Sequence, residues 1–137
     1  MIKTLLLCTG LTLATAVAAV GFPTLQRYRI PVFPISNDSF EVIENDGAGA
    51  SQLWCAASIY ATEVLGQGRG TLTITRAREA SQNVPGRKGV IFTTAQVKDA
   101  SSSYSFSVRK PGLSFKTGTA ETACPVDGLG LQVTVLR

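Results

Sequence analysis

Histidine is absent from the 137-residue sequence, and charged residues make up only 16% of it. Without imidazole the chain contains no Ser-His-Asp or Cys-His nucleophile and no zinc site that needs histidine, because no other unperturbed side chain titrates near neutral pH. The sequence also has no Cys-x-x-Cys pair, no cluster of metal ligands and no carboxylate pair that spacing would bring together. These absences predict a protein that is not an enzyme and that uses no cofactor or metal.

Aromatic residues are also few, at 7% with a single tryptophan. Nucleic-acid sites rely on aromatic side chains on which bases stack, so this composition argues against a nucleic-acid partner. The length fits one globular domain, and the composition excludes fibrous repeats and low-complexity disorder.

Residues 1–19 have the pattern of a secretory signal peptide. Lys3 precedes a leucine-rich run at residues 5–13, and the small residues that follow include an Ala-x-Ala match at 16–18. We expect cleavage after Ala18 or Ala19. The alternative is a retained membrane anchor formed by residues 5–22, whose length is marginal for spanning a bilayer. Residues 20–39 contain three prolines and little periodicity, which predicts an extended leader outside the packed domain.

Cleavage of the signal would remove Cys8 and leave Cys55 and Cys124 as an even pair. Exported proteins mature where disulfides persist, so the sequence predicts a bond between Cys55 and Cys124. Closing this loop would stabilise the fold by about 4 kcal/mol in the chain-entropy model. The alternative is a pair of separate buried thiols.

Residues 50–65 are predicted to form the main helix. Leu53, Ala57, Tyr60 and Val64 recur at steps of three and four, which places them on one face. Gly66 is expected to end the helix in the left-handed conformation. Cys55 would then lie at the edge of the apolar face, where it can reach a loop.

Alternating apolar and polar residues predict strands through most of the remaining chain. The clearest half-buried pattern alternates Tyr104, Phe106 and Val108 with polar residues. A turn at residues 109–112 is expected to pair this strand with the next as a hairpin. Residues 117–128 are predicted to be a loop that carries Cys124. The predicted strands span residues 40–44, 71–75, 90–97, 103–109, 113–115 and 129–135.

One helix packed on a meandering, mainly antiparallel sheet is the arrangement that buries both the helix face and one face of the strands. The predicted class is therefore α+β, with residues 40–137 as the single domain. A β-sandwich with one short helix is the alternative, because strands every eight to twelve residues also fit that fold. The two differ in whether Trp54 and Tyr60 pack on a sheet face that carries Phe106 and Val133.

Charge is distributed unevenly along the chain. Removing Lys3 from the 13 basic residues leaves a net charge of +3 in the mature protein. Residues 38–63 contain only acidic charges, whereas residues 69–116 are mostly basic. If Arg76, Arg78, Arg109 and Lys110 shared one face, they would form a patch for an anionic lipid, a polysaccharide or an acidic partner. The alternative is ordinary solvated strand faces that the acidic segment partly neutralises.

Two short motifs resemble catalytic or phosphate-binding signatures. Ser107 to Lys110 matches Ser-x-x-Lys and Lys116 begins a Lys-Thr-Gly match, but the two lie too close in sequence for penicillin-recognising enzymes, and the serine is predicted on a strand. Gly47 to Ser51 would offer backbone amides at a helix start, although it lacks the lysine of a phosphate-binding loop. Both matches are interpreted as accidental.

The string Trp-Cys-Ala-Ala-Ser-Ile-Tyr-Ala at residues 54–61 is the most distinctive in the chain. With the basic strand after it, the segment from about residue 40 to 97 resembles small exported bacterial proteins of unknown function that carry a Trp-Cys-Ala-type helix. This resemblance implies a family and supplies no activity.

The sequence therefore predicts a non-catalytic binding or accessory protein, periplasmic or secreted, that belongs to a membrane or envelope complex through a protein partner. The first alternative is a stand-alone binder of anionic envelope ligands. The second is a small hydrolase that uses serine, lysine or carboxylate side chains, which loss of activity in Ser107→Ala or Lys116→Ala would support. The membrane-anchored form through residues 5–22 remains the alternative localisation.

Overall fold

The computed structural model of the chain describes residues 27–126 and 130–137. The predicted signal peptide lies outside these residues. Within them, six strands and two helices follow one another along the chain. In order they are β1 (Tyr28–Pro34), β2 (Ser39–Ile43), α1 (Ala50–Glu63), β3 (Thr71–Ala80), β4 (Lys88–Thr93), β5 (Ser114–Lys116), α2 (Thr117–Glu121) and β6 (Leu131–Val135).

The strands form one sheet in the order β5-β3-β4-β2-β1-β6. All neighbours are antiparallel except β1 and β6, which pair in parallel from Tyr28 opposite Leu131 to Val32 opposite Val135. Register shifts in β3 opposite β4 bend the far end of that strand. A single, mainly antiparallel sheet with helices on it confirms the α+β class and rules out the β-sandwich alternative.

Helix α1 supplies the centre of the core. Trp54 is fully buried, and its ring meets Phe92 and Phe115 edge-on at centroid distances of 4.8 and 4.9 Å. The ring of Tyr60 packs on Phe40 at 4.4 Å, and burial raises the pKa of the Tyr60 hydroxyl. Successive side chains of a strand point to opposite faces, so β2, β3 and β4 present apolar side chains to α1. The ring contacts hold α1 against that face of the sheet.

The predicted main helix is confirmed. It begins at Ala50, where the Gly49 backbone N–H donates to Gln52 Oε1 at 2.9 Å. It ends at Glu63, two residues before the predicted end, and Gly66 beyond it has the expected positive φ, 68°, in the left-handed region that glycine adopts without a steric penalty.

Residues 28–39 differ from the extended leader that the prolines predict, because they form β1 and the turn into β2. Ile30 and Val32 are fully buried in the core. Pairing with β2 begins only at Val32, after Pro31, so the missing N–H of Pro31 costs no bond in that ladder. Beside it, Asn45 Nδ2 donates to the Arg29 carbonyl at 2.8 Å. A proline is tolerated at position 31 because β2 does not pair with the strand there, and the side chain of Asn45 bonds the backbone just before it.

The strand predicted at residues 103–109 is wrong, and with it the hairpin. This segment runs irregularly, and Tyr104 is fully exposed. The backbone N–H of Ser105 and that of Arg109 turn back to the hydroxyls of Ser103 and Ser107, at 3.4 and 3.3 Å. Serine hydroxyls that capture nearby amides compete with a strand ladder. The alternation therefore reflected serine content, not a sheet.

The loop predicted at residues 117–128 is interrupted by the short helix α2. The Thr117 backbone N–H donates to the Gly70 carbonyl at 2.9 Å, which fixes the start of this turn beside β3. Ala120 is buried against the core. One helical turn is too short to show apolar periodicity, so the sequence pattern contained no signal for it.

Candidate functional site

The disulfide predicted between Cys55 and Cys124 is confirmed. Cys55 is fully buried in α1, Cys124 follows α2, and their Cα atoms are 4.8 Å apart. The Ser58 hydroxyl donates to the Cys55 carbonyl at 2.7 Å on the same turn of the helix. The bond thus fixes α1 to the segment that leaves α2. Disulfides of this kind persist in oxidising compartments.

Two of the four basic residues singled out in the sequence are neutralised by neighbouring carboxylates. Arg76 pairs with Glu79 and also donates to the Ala80 carbonyl at 3.0 Å. Arg78 pairs with Glu44 through two guanidinium nitrogens. This hydrogen bond from Arg78 holds the pKa of the Glu44 carboxyl below its usual range and raises the pKa of Arg78. Such paired arginines have little charge left for a ligand.

Arg109 and Lys110 are both exposed, and neither pairs with a carboxylate within residues 27–126 and 130–137. Arg109 and Arg78 line one cavity of about 380 Å³ at the start of α1, together with Glu44. The structure therefore brings Arg78 and Arg109 to one cavity, whose lining also includes the carboxylate of Glu44. Arg76 and Lys110 do not line this cavity.

A larger recess lies at the β5 edge of the sheet, beside β3. It consists of two cavities of about 520 and 400 Å³ that share Thr71, Ala100 and Ser114. We call this recess the hydroxyl groove, since most of the polar side chains that line it carry a hydroxyl. These residues are Thr71, Thr73, Thr94, residues 101–103, Ser114 and Thr119.

The position of the hydroxyl groove follows from the strand register. Leu72 lies opposite Phe115, and both side chains face the core, so Thr73 and its partner Ser114 face away from α1. The hydroxyls of Thr73 and Ser114 bond to each other at 2.9 Å and form a buried polar floor. Lys116, two residues after Ser114, lies at the same face and lines the groove.

The wall of the hydroxyl groove is held to the sheet by backbone bonds. The Ser101 N–H donates to the Gly112 carbonyl at 3.0 Å, and the Ser114 N–H donates to the Ser101 carbonyl at 2.8 Å. Ser101 also forms a parallel bridge with Leu113. The groove is thus a preformed feature of the fold. Ser101 is the residue of this wall that the backbone bonds fix, and Ser102 and Ser103 follow it along the chain.

Sequence reasoning missed the hydroxyl groove. Two signals for it were present: threonines at alternate positions in residues 71–75 and a run of serines at 101–103. The threonines were interpreted as one face of a predicted strand, and of the serines only Ser103 was assigned, to the strand predicted at 103–109. The two sets of hydroxyls converge for two reasons that only the structure shows. The register of β3 with β5 places Thr73 opposite Ser114, and residue 101 lies beside Leu113 and Ser114.

Glu41 is a buried carboxyl on β2. Its Oε2 accepts a bond from Asn83 Nδ2 at 3.1 Å, and its Oε1 has no hydrogen-bond partner among the described residues. Gly89 on β4 lies so close that a Cβ there would come within 3.0 Å of Glu41 Cγ and Cδ. Ile43 is the residue paired with Gly89, so the crowding comes from the Glu41 side chain two residues earlier on β2, and Asn83 from the β3–β4 loop bonds the same carboxyl.

The catalytic motif matches fall in different surroundings. The Ser107 carbonyl accepts a bond from Trp54 Nε1 at 2.8 Å, and its hydroxyl accepts the Arg109 N–H. Lys116 instead faces the hydroxyl groove, which residue 107 does not line. The backbone carbonyl of Ser107 therefore positions the indole of Trp54.

Comparison with protein-family models, curated proteins and solved structures finds no match to this chain. In the described part of the chain, no three Asp, Glu or Cys side chains are grouped so that they could hold a metal ion. No helix among these same residues combines the length and the hydropathy that a bilayer crossing requires.

Proposed function

We propose that this protein is an exported binding or accessory protein of the bacterial envelope, periplasmic or secreted, that acts without catalysis through a partner or ligand. The observation that carries the proposal is the Cys55–Cys124 disulfide. A small domain with one buried cross-link is typical of proteins that mature outside the cytosol. The signal pattern of residues 1–19 supports the same compartment from an independent part of the chain.

Both fates of the N-terminal segment are compatible with this function. Cleavage after Ala18 or Ala19 would release a free domain, whereas retention of residues 5–22 would tether it to the membrane as a subunit of an envelope complex. In each case the domain that contains the disulfide lies outside the cytosol.

The position of the disulfide supports a binding role. It joins α1 to the segment after α2, and α2 contributes Thr119 to the hydroxyl groove. A cross-link that holds a binding surface in one conformation lowers the entropy lost when a ligand is bound. The proposal therefore assigns to the disulfide a role in preorganising the groove as well as in stability.

Fractionation of a bacterial host that expresses the full chain tests the proposal. We expect the protein in the exported fraction, with a mature N-terminus at Ala19 or Val20 or an intact membrane-bound one. Mass spectrometry without reduction should detect a linked Cys55–Cys124 peptide. As a control, Leu6→Arg interrupts the apolar run of the signal and should leave the protein in the cytosol with reduced thiols. Full-length, reduced wild-type protein in the cytosol would overturn the proposal.

A second candidate function is binding of an anionic envelope ligand at the cavity that Arg78 and Arg109 line. It is supported by Arg109, which pairs with no carboxylate among the described residues, and opposed by Glu44 in the same wall. Retention on anionic lipid vesicles should then fall in Arg109→Ala and with rising salt, because exposed charges are screened. Equal retention of Arg109→Ala and Lys98→Ala would exclude this site.

A further inference from the structure

We propose that the hydroxyl groove binds a short segment of an acidic glycan, a ligand class that deepens and rests on the proposed binding function. The groove combines dense neutral hydroxyls, a single ammonium group and an adjacent exposed aromatic ring. Each of these features corresponds to one chemical property of such a glycan.

The hydroxyls supply the first correspondence. A serine or threonine hydroxyl can donate one hydrogen bond and accept others, and sugar hydroxyls have the same dual capacity. Thr71, Ser102, Ser103 and Thr119 line the groove and are exposed. Beneath them, Thr73 and Ser114 are already bonded to each other. The floor is therefore satisfied, while the rim has hydroxyls available to a ligand.

Lys116 supplies the second correspondence. Among the described residues it is the one charged side chain in the lining of the two cavities, and no described carboxylate lines either of them. An exposed ammonium with three donors favours an anionic group at that end of the ligand. This differs from the cavity at the start of α1, where Glu44 accompanies the arginines. A carboxylate-bearing sugar fits this charge pattern better than a neutral one.

Tyr104 supplies the third correspondence. Its side chain is fully exposed, and the residue follows Ser103 at the rim of the groove. An aromatic ring in water is an apolar face with a polar tip, which suits packing against the C–H face of a sugar ring. The remaining exposed large apolar residues are aliphatic among the described residues. Tyr104 lines neither cavity, so its ring would meet a ligand that extends past Ser103.

Backbone pairing argues against an extended peptide as the occupant. Peptides that add to a sheet bind through the free N–H and C=O groups of an edge strand. At the start of β5 the Ser114 N–H already donates to the Ser101 carbonyl, and Ser101 bridges Leu113, the residue before the strand. A peptide that added here would have to displace residue 101, whereas side-chain hydroxyls bind without displacing it. The two adjoining cavities, of about 520 and 400 Å³, give an elongated ligand room to lie along β3.

Calorimetry on the mature, disulfide-bonded protein tests the inference. The probe is a galacturonate hexamer, compared with the same oligosaccharide after reduction of its carboxyl groups and with a glutamate hexamer. We expect the uronate hexamer to bind most tightly. The reduced sugar should bind about fivefold more weakly, as expected for loss of an exposed charge pair, and the acidic peptide should not bind measurably.

Variants locate the site. Lys116→Gln should weaken the uronate hexamer about fivefold and leave the carboxyl-reduced sugar unaffected. Tyr104→Ala and the pair Thr71→Val with Ser103→Ala should weaken both sugars about tenfold. The matched controls Lys110→Gln and Ser51→Ala change exposed residues outside the groove and should bind like wild type. Circular dichroism confirms that each variant is folded.

Three results would overturn the inference. These are no binding of either sugar, equal binding of the acidic peptide, or equal losses in Lys116→Gln and Lys110→Gln. Equal losses in these two variants would show that the sugar carboxylate responds to the overall positive charge and does not bind at Lys116. None of these results affects the fractionation and disulfide experiment, so a failure of the glycan site and a failure of export are distinguishable.

Discussion

The Glu41–Gly89 contact leads to a stability prediction that is specific to this structure. Gly89 lies on β4, where its backbone is not in the left-handed region, so alanine can adopt the same conformation. The obstacle is Glu41, whose Cγ and Cδ would lie within 3.0 Å of the new Cβ and whose Oε1 would lie closer still. Gly89→Ala is therefore expected to destabilise the fold through one side chain.

The size of the effect follows from what must move. Glu41 is fully buried, so it cannot swing into solvent without opening the β3–β4 loop. Overpacking of this kind costs about 1–3 kcal/mol. Loss of the bond from Asn83 adds about 1–2 kcal/mol, and the lower backbone entropy of alanine returns about 0.5–1 kcal/mol. We expect a net loss of about 2 kcal/mol in the free energy of unfolding.

A double-mutant cycle isolates this contact. With Glu41→Ala in place, Gly89→Ala no longer meets an obstacle and should be neutral or stabilising by about 0.5 kcal/mol. The expected coupling free energy between the two positions is thus about 2–2.5 kcal/mol. Urea unfolding followed by the fluorescence of Trp54, the single tryptophan and a fully buried one, measures all four proteins.

The result that refutes this reasoning is a similar loss from Gly89→Ala in both backgrounds, with coupling below about 0.5 kcal/mol. The alanine would then act through the strand itself and not through the carboxyl. A control at Gly118, where an added Cβ meets nothing within 4 Å, should show no loss from alanine.

Three further predictions concern the disulfide, an ion pair and a helix end. Replacing both Cys55 and Cys124 with alanine should lower the free energy of unfolding by about 4 kcal/mol, as measured by urea unfolding without reductant. Because Arg78 lowers the pKa of Glu44 in the folded protein, the stabilisation that Glu44 contributes is present above its unfolded pKa of about 4.3 and is lost as pH falls further. The difference in melting temperature between wild type and Glu44→Gln should therefore shrink below about pH 4. Gly66→Ala, at a φ of 68°, should cost about 1 kcal/mol in urea unfolding.

Each of these predictions has its own control. Wild-type protein unfolded with reductant should match the double alanine variant, and a loss below about 1 kcal/mol would contradict the entropic argument. In an Arg78→Gln background, which removes the partner of Glu44, Glu44→Gln should cost little at any pH, whereas a constant difference for Glu44→Gln down to about pH 2 would exclude the ion pair as its cause. A neutral Gly66→Ala would show that the helix end tolerates a side chain in this conformation.

The main helix and the disulfide were predictable because their signals are local or compositional. Helical spacing from Leu53 to Val64, followed by Gly66, defines α1 without reference to the rest of the chain. An even pair of cysteines behind a signal pattern restricts the pairing to one choice once Cys8 is removed. The α+β class follows from the same helix and the alternating segments around it.

The wrong predictions, an extended leader before residue 40 and a strand at 103–109, share a different cause. Whether a short polar segment becomes a strand depends on the groups that bond its backbone. Pro31 was interpreted as a strand breaker, yet β1 forms because β6 pairs along one side, while on the other side Asn45 bonds Arg29 and β2 pairs from Val32 onward. Residues 103–109 alternate like a strand, yet serine hydroxyls capture their amides. Neither outcome can be determined from a window of neighbouring residues.

The candidate site shows the same division between local and tertiary information. The amino-acid sequence by itself determined the helix, the cross-linking cysteines, the lack of imidazole and the excess of hydroxyls and of positive charge in the second half of the chain. Only the tertiary structure decided that Arg76 and Arg78 face carboxylates and that separate hydroxyl runs meet beside β5. The physical reason is that charge and hydrogen-bonding capacity are properties of a residue, whereas their availability depends on which distant residues the sheet register brings opposite them.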